Sequence, residues 1–150
     1  MIKKITFILA LIFLTSNCGF TPIHSNKNNN SFSIEQINFV GDRTLNNFLK
    51  INLRKLKNQE INKKYFIETK TEYKKNVLTK DATGKITNYE LNAKVIFTIK
   101  SYNKKLIFYE KKIMETMNDK FEESKNEMTV KQNFASSISN KLISTLMTLR

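Results

Sequence analysis

From Phe32 onward, apolar and polar positions follow two alternating rhythms. The stretch SIEQINF sets Ile34, Ile37 and Phe39 in a short strand ending at Gly41, and Asp42 stands where a helix N-cap is expected. Leu45, Phe48, Leu49, Leu53 and Leu56 then recur at spacings of three and four, one apolar stripe of a helix reaching about Lys57. YFIETKTEY alternates from Tyr65 through Ile67, Thr69 and Thr71 to Tyr73, which predicts a strand with one mostly polar face. DATGK, around Gly84, reads as a turn.

The clearest strand is NYELNAKVIFTIK, with Tyr89, Leu91, Ala93, Val95, Phe97 and Ile99 on one face, the signature of one buried side. After the short link SYNKK, LIFYEKKIMETM continues as a hairpin partner carrying Ile107, Tyr109, Ile113 and Met117 on one side. From about Glu127 to Leu149 the rhythm returns to helical, with Phe134, Ile138, Leu142, Leu146 and Leu149 on one stripe. The order β-α-β-β-β-α predicts an α+β two-layer sandwich, a four-stranded mixed sheet with two helices packed on one face. Phe97 and Ile138 should meet across that single interior.

Before Phe32 the pattern changes. Met1-Ile2-Lys3-Lys4 is a short positive stretch, and Ile5 to Leu14 is uncharged and apolar, the order of parts in a secretory signal. Ten helical residues span roughly 15 Å, about half a hydrocarbon core, so a permanent membrane span is the weaker reading. Thr15, Ser16 and Asn17 lead to Cys18, the only cysteine, in an arrangement like a bacterial lipobox. Leu14 stands four residues ahead of it instead of three, and Asn17 replaces the usual small residue. An exported lone thiol has no intramolecular disulfide partner, and acylation would use it fully. The expected organisation is a signal peptide over residues 1–17, a lipidated N-terminus and Asn-rich tether over 18–31, and one domain over 32–150. Gly19 in the second mature position carries no acidic side chain, which by resemblance to lipoproteins generally favours the outer membrane over retention in the inner one.

The chain carries a formal charge of +13, and 23 of its 26 basic residues are lysine. Loss of residues 1–17 removes two lysines and no acid, leaving +11. An A/T-rich coding sequence explains part of this excess; whatever its origin, a basic surface attracts phosphate-bearing partners, whether nucleic acid, anionic membrane or acidic headgroup. Export and the absence of a nucleic-acid motif argue against the first. Catalytic chemistry has little to work with. His24 is the only histidine and lies in the tether, so neither a His-based triad nor a metal cluster is expected. The adjacent pair Glu122-Glu123 reads as a solvated approach to the last helix, and the three glycines form no phosphate loop. No cofactor is implied.

Cys18-Gly19-Phe20 with Pro22, the Gly84 turn running into Asn88-Tyr89-Glu90-Leu91, and Val130-Lys131 in the final helix stand in an order that resembles the LptE family, lipopolysaccharide-assembly lipoproteins of Gram-negative outer membranes. The resemblance spans nearly the whole mature chain, although no single word of it is diagnostic. It implies a non-catalytic protein that plugs and supports assembly of the LptD β-barrel and helps deliver lipopolysaccharide to the cell surface, held to the membrane through Cys18. The family's functional basic residues lie in the turn before the long strand and near the start of the last helix. The matching positions here are Ala82 and Glu122, so no residue carries over directly. The neighbouring Lys80, Lys85, Lys120 and Lys125 are the candidate lipopolysaccharide-binding residues. Two alternatives remain open: a different periplasmic adaptor lipoprotein, and a lipid-anchored hydrolase.

Overall fold

The structure, a computed structural model, describes residues 32–57 and 61–149. The expected signal peptide and tether, with Cys18 and His24, lie outside the described residues. The elements run β1 (Ser33–Gly41), α1 (Arg43–Arg54), β2 (Lys64–Lys80), β3 (Ile86–Ile99), β4 (Lys104–Glu115) and α2 (Lys120–Thr148). The sheet order is β1-β2-β3-β4, with β1 parallel to β2 and the other pairs antiparallel. This is the expected mixed sheet with two helices on one face.

Local chemistry explains each corner. β1 ends at Gly41, whose φ of +111° suits a residue without a Cβ; a Cβ there would lie 1.9 Å from the Thr71 carbonyl oxygen. The backbone then turns directly into α1, where the Asp42 carboxylate accepts from Leu45 N–H at 2.7 Å. The β2–β3 turn closes around Asp81, whose carboxylate accepts from the backbone N–H groups of Thr83 and Lys85, both at 2.9 Å, and from the Thr83 hydroxyl at 2.7 Å. Those bonds, the Thr83 hydroxyl's foremost, hold the Asp81 carboxyl below its usual pKa. Between β3 and β4, a single 3₁₀ turn (Lys100–Tyr102) ends at Asn103 in the left-handed conformation, φ +47°.

The core lies between the helices and the inner sheet face. Leu45, Leu49 and Leu53 of α1, Tyr65 and Ile67 of β2, every second residue of β3 from Leu91 to Ile99, and Val130, Phe134, Ile138, Leu142 and Leu146 of α2 are buried together. Phe97 and Ile138 are both fully buried, as expected of facing layers. The Phe97 and Phe108 rings meet edge to face at 6.0 Å.

Three details differ from the sequence reading. β2 continues seven residues past Tyr73, because its antiparallel register with β3 holds as far as Lys80 and Ile86, with bulges around Leu78. On β4, the side bearing Ile107, Tyr109 and Ile113 faces out, and the inward side is supplied by Leu106, Phe108 and Met114. Finally, α2 starts at Lys120, seven residues before Glu127, with Asp119 as its N-cap.

Candidate functional site

Beyond the helix layer, the β2–β3 turn meets the approach to α2. Lys85, Ile86 and Tyr89 on one side, and Thr116, Met117, Asn118 and Lys120 on the other, line a shallow depression of about 280 Å³. The sheet sets this meeting: Thr116 N–H donates to the Thr87 carbonyl at 2.9 Å, and its hydroxyl bonds the carbonyls of Ile86 and Thr87 at 3.1 Å. Two of the four candidate lysines are thereby brought to one place, Lys85 from the turn and Lys120 from the first position of α2. Lys80, exposed at the end of β2, stands next to the same turn without lining the depression. Lys125 lies one turn further along α2 and pairs with Glu122 at 3.7 Å.

The four lysines differ in freedom. Lys80 and Lys85 make no ion pair within 4 Å among the described residues, so their ammonium groups are available to an incoming anion. Lys120 is three-quarters exposed yet donates to Glu123 Oε2 at 3.1 Å. A phosphate at the depression would have to share Lys120 with that carboxylate.

Glu123 is the residue the sequence reading misplaced. It is not solvated: only 6% of it is exposed, because it sits in the first turn of α2 against β2. Its carboxylate accepts from Lys75 at 3.2 Å, from Lys120, and from the backbone N–H of Met117 at 3.2 Å. Lys75 also donates to Glu127 at 2.9 Å and lies 4.2 Å from the centre of the Tyr89 ring. Lys131, one helical turn on, stands between Glu127 and Asp42 at 3.8 and 3.7 Å and over the Tyr73 ring at 3.9 Å. Burial pushes the Glu123 carboxyl upward, but the hydrogen bonds from Lys120, Lys75 and Met117 outweigh it and hold the group below its usual value. Burial likewise opposes the charge on Lys75, and its bonds to Glu127 and Glu123 overcome that and raise its pKa. The signal was in the sequence as Glu123, Glu127 and Lys131 at successive spacings of four, one polar stripe on a helix that began earlier than its apolar stripe.

This network is structural in chemistry: Glu123 and Glu127 are each engaged by lysine ammonium groups that tie α2 to β2 and to the start of α1. Among the described residues no three His, Cys, Asp or Glu side chains converge on a possible metal position, and no helix is long and apolar enough to cross a membrane.

No protein-family model matches the chain, and no curated protein matches it in sequence. Solved structures do resemble it. A rare lipoprotein B from Shewanella oneidensis superposes with a TM-score of 0.50 at 14% identity, over 74% of this chain and 92% of that one. A minor lipoprotein from Acinetobacter baumannii gives 0.50 at 17% identity, over 74% and 94%. Lipoprotein B from Nitrosomonas europaea gives 0.51 at 12% identity, over 78% and 85%. The chain shares their fold. At such identities the likeness is one of architecture, with no residue carried across.

Proposed function

We propose that this chain is an outer-membrane lipoprotein, anchored through Cys18, that occupies and supports the assembly of an LptD-like β-barrel and helps pass lipopolysaccharide to the cell surface. The observation that carries the reading is a fold common to three solved bacterial lipoproteins, on a chain whose N-terminus has a signal segment leading to a lone cysteine. The role is non-catalytic: it uses surfaces, and the part-buried ionic cluster of Lys75, Glu123, Glu127 and Lys131 is engaged in holding α2 in place. The outer sheet face, with Val40, Phe66, Ile107, Tyr109 and Ile113 exposed among ion pairs such as Lys100–Glu68 at 2.8 Å, is a mixed surface suited to contact with a barrel wall. Lys85 and Lys120 at the depression offer ammonium groups to lipid phosphates.

Affinity capture of the tagged full-length chain from detergent-solubilised outer membranes tests the reading. It expects a very large β-barrel to co-purify in stoichiometric amount; recovery of the chain in outer membranes without such a barrel would overturn the plug assignment. The anchor is tested separately by metabolic labelling with an alkyne fatty acid, which should mark the wild type and leave Cys18→Ser unlabelled.

A further inference from the structure

The two edges of the sheet are guarded unequally. β4 carries Lys104, Lys105, Lys111 and Lys112, the charged decoration that keeps an open edge from pairing with another chain. β1 carries no lysine, arginine or proline, and its one acid, Glu35, is paired with Lys64 of β2 at 3.4 Å. After the irregularity between Ile34 and Gln36, β1 runs in regular register from Gln36 to Gly41, uncharged and rich in β-forming residues. No described strand pairs with its other side.

Beside that open edge lies a groove of about 510 Å³ between β1 and α1, lined by Ile37 and Phe39 of the strand and Arg43, Asn46, Asn47 and Lys50 of the helix. The helical positions follow a spacing of three and four and present two cations, two amides and no carboxylate. Arg43 stands in the first turn of α1, where the helix dipole favours an acid, and that turn contains none. Neither Arg43 nor Lys50 forms an ion pair among the described residues, and the nearest acid in sequence, Asp42, is engaged by Leu45 N–H and Lys131. Asn46 accepts from the Thr71 hydroxyl at 2.8 Å through its amide oxygen, which fixes the orientation of its side chain.

We propose that the free edge of β1 and this basic groove form a docking site for an extended acidic peptide segment of a partner protein, which adds to the sheet as a further strand. Backbone hydrogen bonds to an edge supply affinity without regard to sequence, and the side chains flanking the edge select the partner. Here they select carboxylates. The chain's own residues 1–31 contain no acid, and a second copy would bring another net-basic body and a β1 without a free carboxylate, so charge disfavours both as occupants. The surface shares no residue with the lysine depression, and the inference does not depend on the barrel reading.

The test uses the full-length chain purified in detergent and two short labelled peptides, one alternating threonine with glutamate and the other threonine with lysine. The glutamate peptide should bind, and hydrogen exchange should slow at Gln36–Val40 and stay unchanged along β4. Arg43→Glu with Lys50→Glu, both at exposed positions, should weaken binding about tenfold or more with the thermal midpoint retained. Equal binding of the lysine peptide, protection confined to β4, undiminished binding by the double variant, or self-association through β1 with no peptide bound would each overturn the proposal. Exchange on the wild type decides the matter even if the variant folds poorly.

Discussion

Between Val130 and Leu146, α2 lies on the sheet chiefly through buried apolar side chains, with Lys131–Asp42 and Lys141–Glu110 pairs only at its margins; between Lys120 and Glu127, the same helix is held by a buried carboxylate, a lysine drawn from β2 and a ring beneath that lysine. The first half is secured chiefly by removing apolar surface from water, a force that needs no ionised group. The second half depends on charges that must remain ionised, and removing one partner leaves another buried without its match. One helix thus has a permanent part and a conditional part. The conditional part adjoins the depression where Lys85 and Lys120 meet, so the shape of that site depends on the ionic cluster behind it.

The largest effects should come from the apolar half. Phe97→Ala should cost about 3 to 5 kcal/mol, and Ile138→Ala about 2 to 5, out of a total of about 5 to 15 for a domain of this size. Urea titration should show a lowered midpoint for both, with the two transitions of secondary structure and aromatic signal still coincident, because both residues belong to the one core. An unchanged midpoint for Phe97→Ala would contradict the packing of β3 described above.

Lys75→Met sharpens the comparison from the other side. Glu123 would keep Lys120 and the Met117 N–H, so the loss should be smaller, about 1 to 3 kcal/mol. It should also be local: hydrogen exchange should quicken over Lys120–Glu127 and leave Val130–Leu146 protected. Equal quickening along the whole of α2 would show that the helix has no such division.

Acid should do reversibly what Lys75→Met does permanently. The folded-state pKa of Glu123 is lowered from 4.5, so the unfolded chain takes up a proton first as pH falls. Its contribution is therefore complete above about pH 4.5 and is lost as pH drops through the depressed folded value. For Lys75, raised above 10.5, the contribution is complete below that pH and is lost only above the raised value. Exchange measured from neutral pH down to about pH 3, corrected for the intrinsic rate, should release Lys120–Glu127 before Val130–Leu146.

Most of the fold was legible because most of it is amphipathic. The β3 alternation and the Phe134–Leu146 stripe each name their buried face directly, and Gly41 with Asp42, and Gly84, mark two corners. What escaped reading lies where burial is not apolar. The first two turns of α2 have Phe121 outward and Glu123 inward, so a search for apolar periodicity starts the helix at the wrong turn. On β4, aromatic and aliphatic residues occupy both faces, and only pairing with β3 decides which is inside. The candidate site was half legible: sequence names the lysines, but the meeting of Lys85 with Lys120 follows from a hairpin register that no local pattern encodes.

Substitution at the turn should have the smallest effect on stability and the most selective effect on binding. Lys80 and Lys85 carry no ion pair among the described residues, whereas Lys120 supports Glu123, so a change at Lys120 would mix ligand contact with loosening of α2. Lys80→Glu with Lys85→Glu avoids that mixture. Exposed charges of this kind contribute about 1 kcal/mol or less to folding, so the thermal midpoint should move little. If the depression receives lipid phosphates, the same double variant should bind lipopolysaccharide more weakly, and the deficit should shrink as salt screens the contact. Lys125→Glu supplies the control, because it breaks only the exposed pair with Glu122 outside the depression and should leave binding nearly intact. Unaltered affinity in the Lys80/Lys85 variant at low salt would remove the turn from the binding site while leaving the ionic support of α2 untouched.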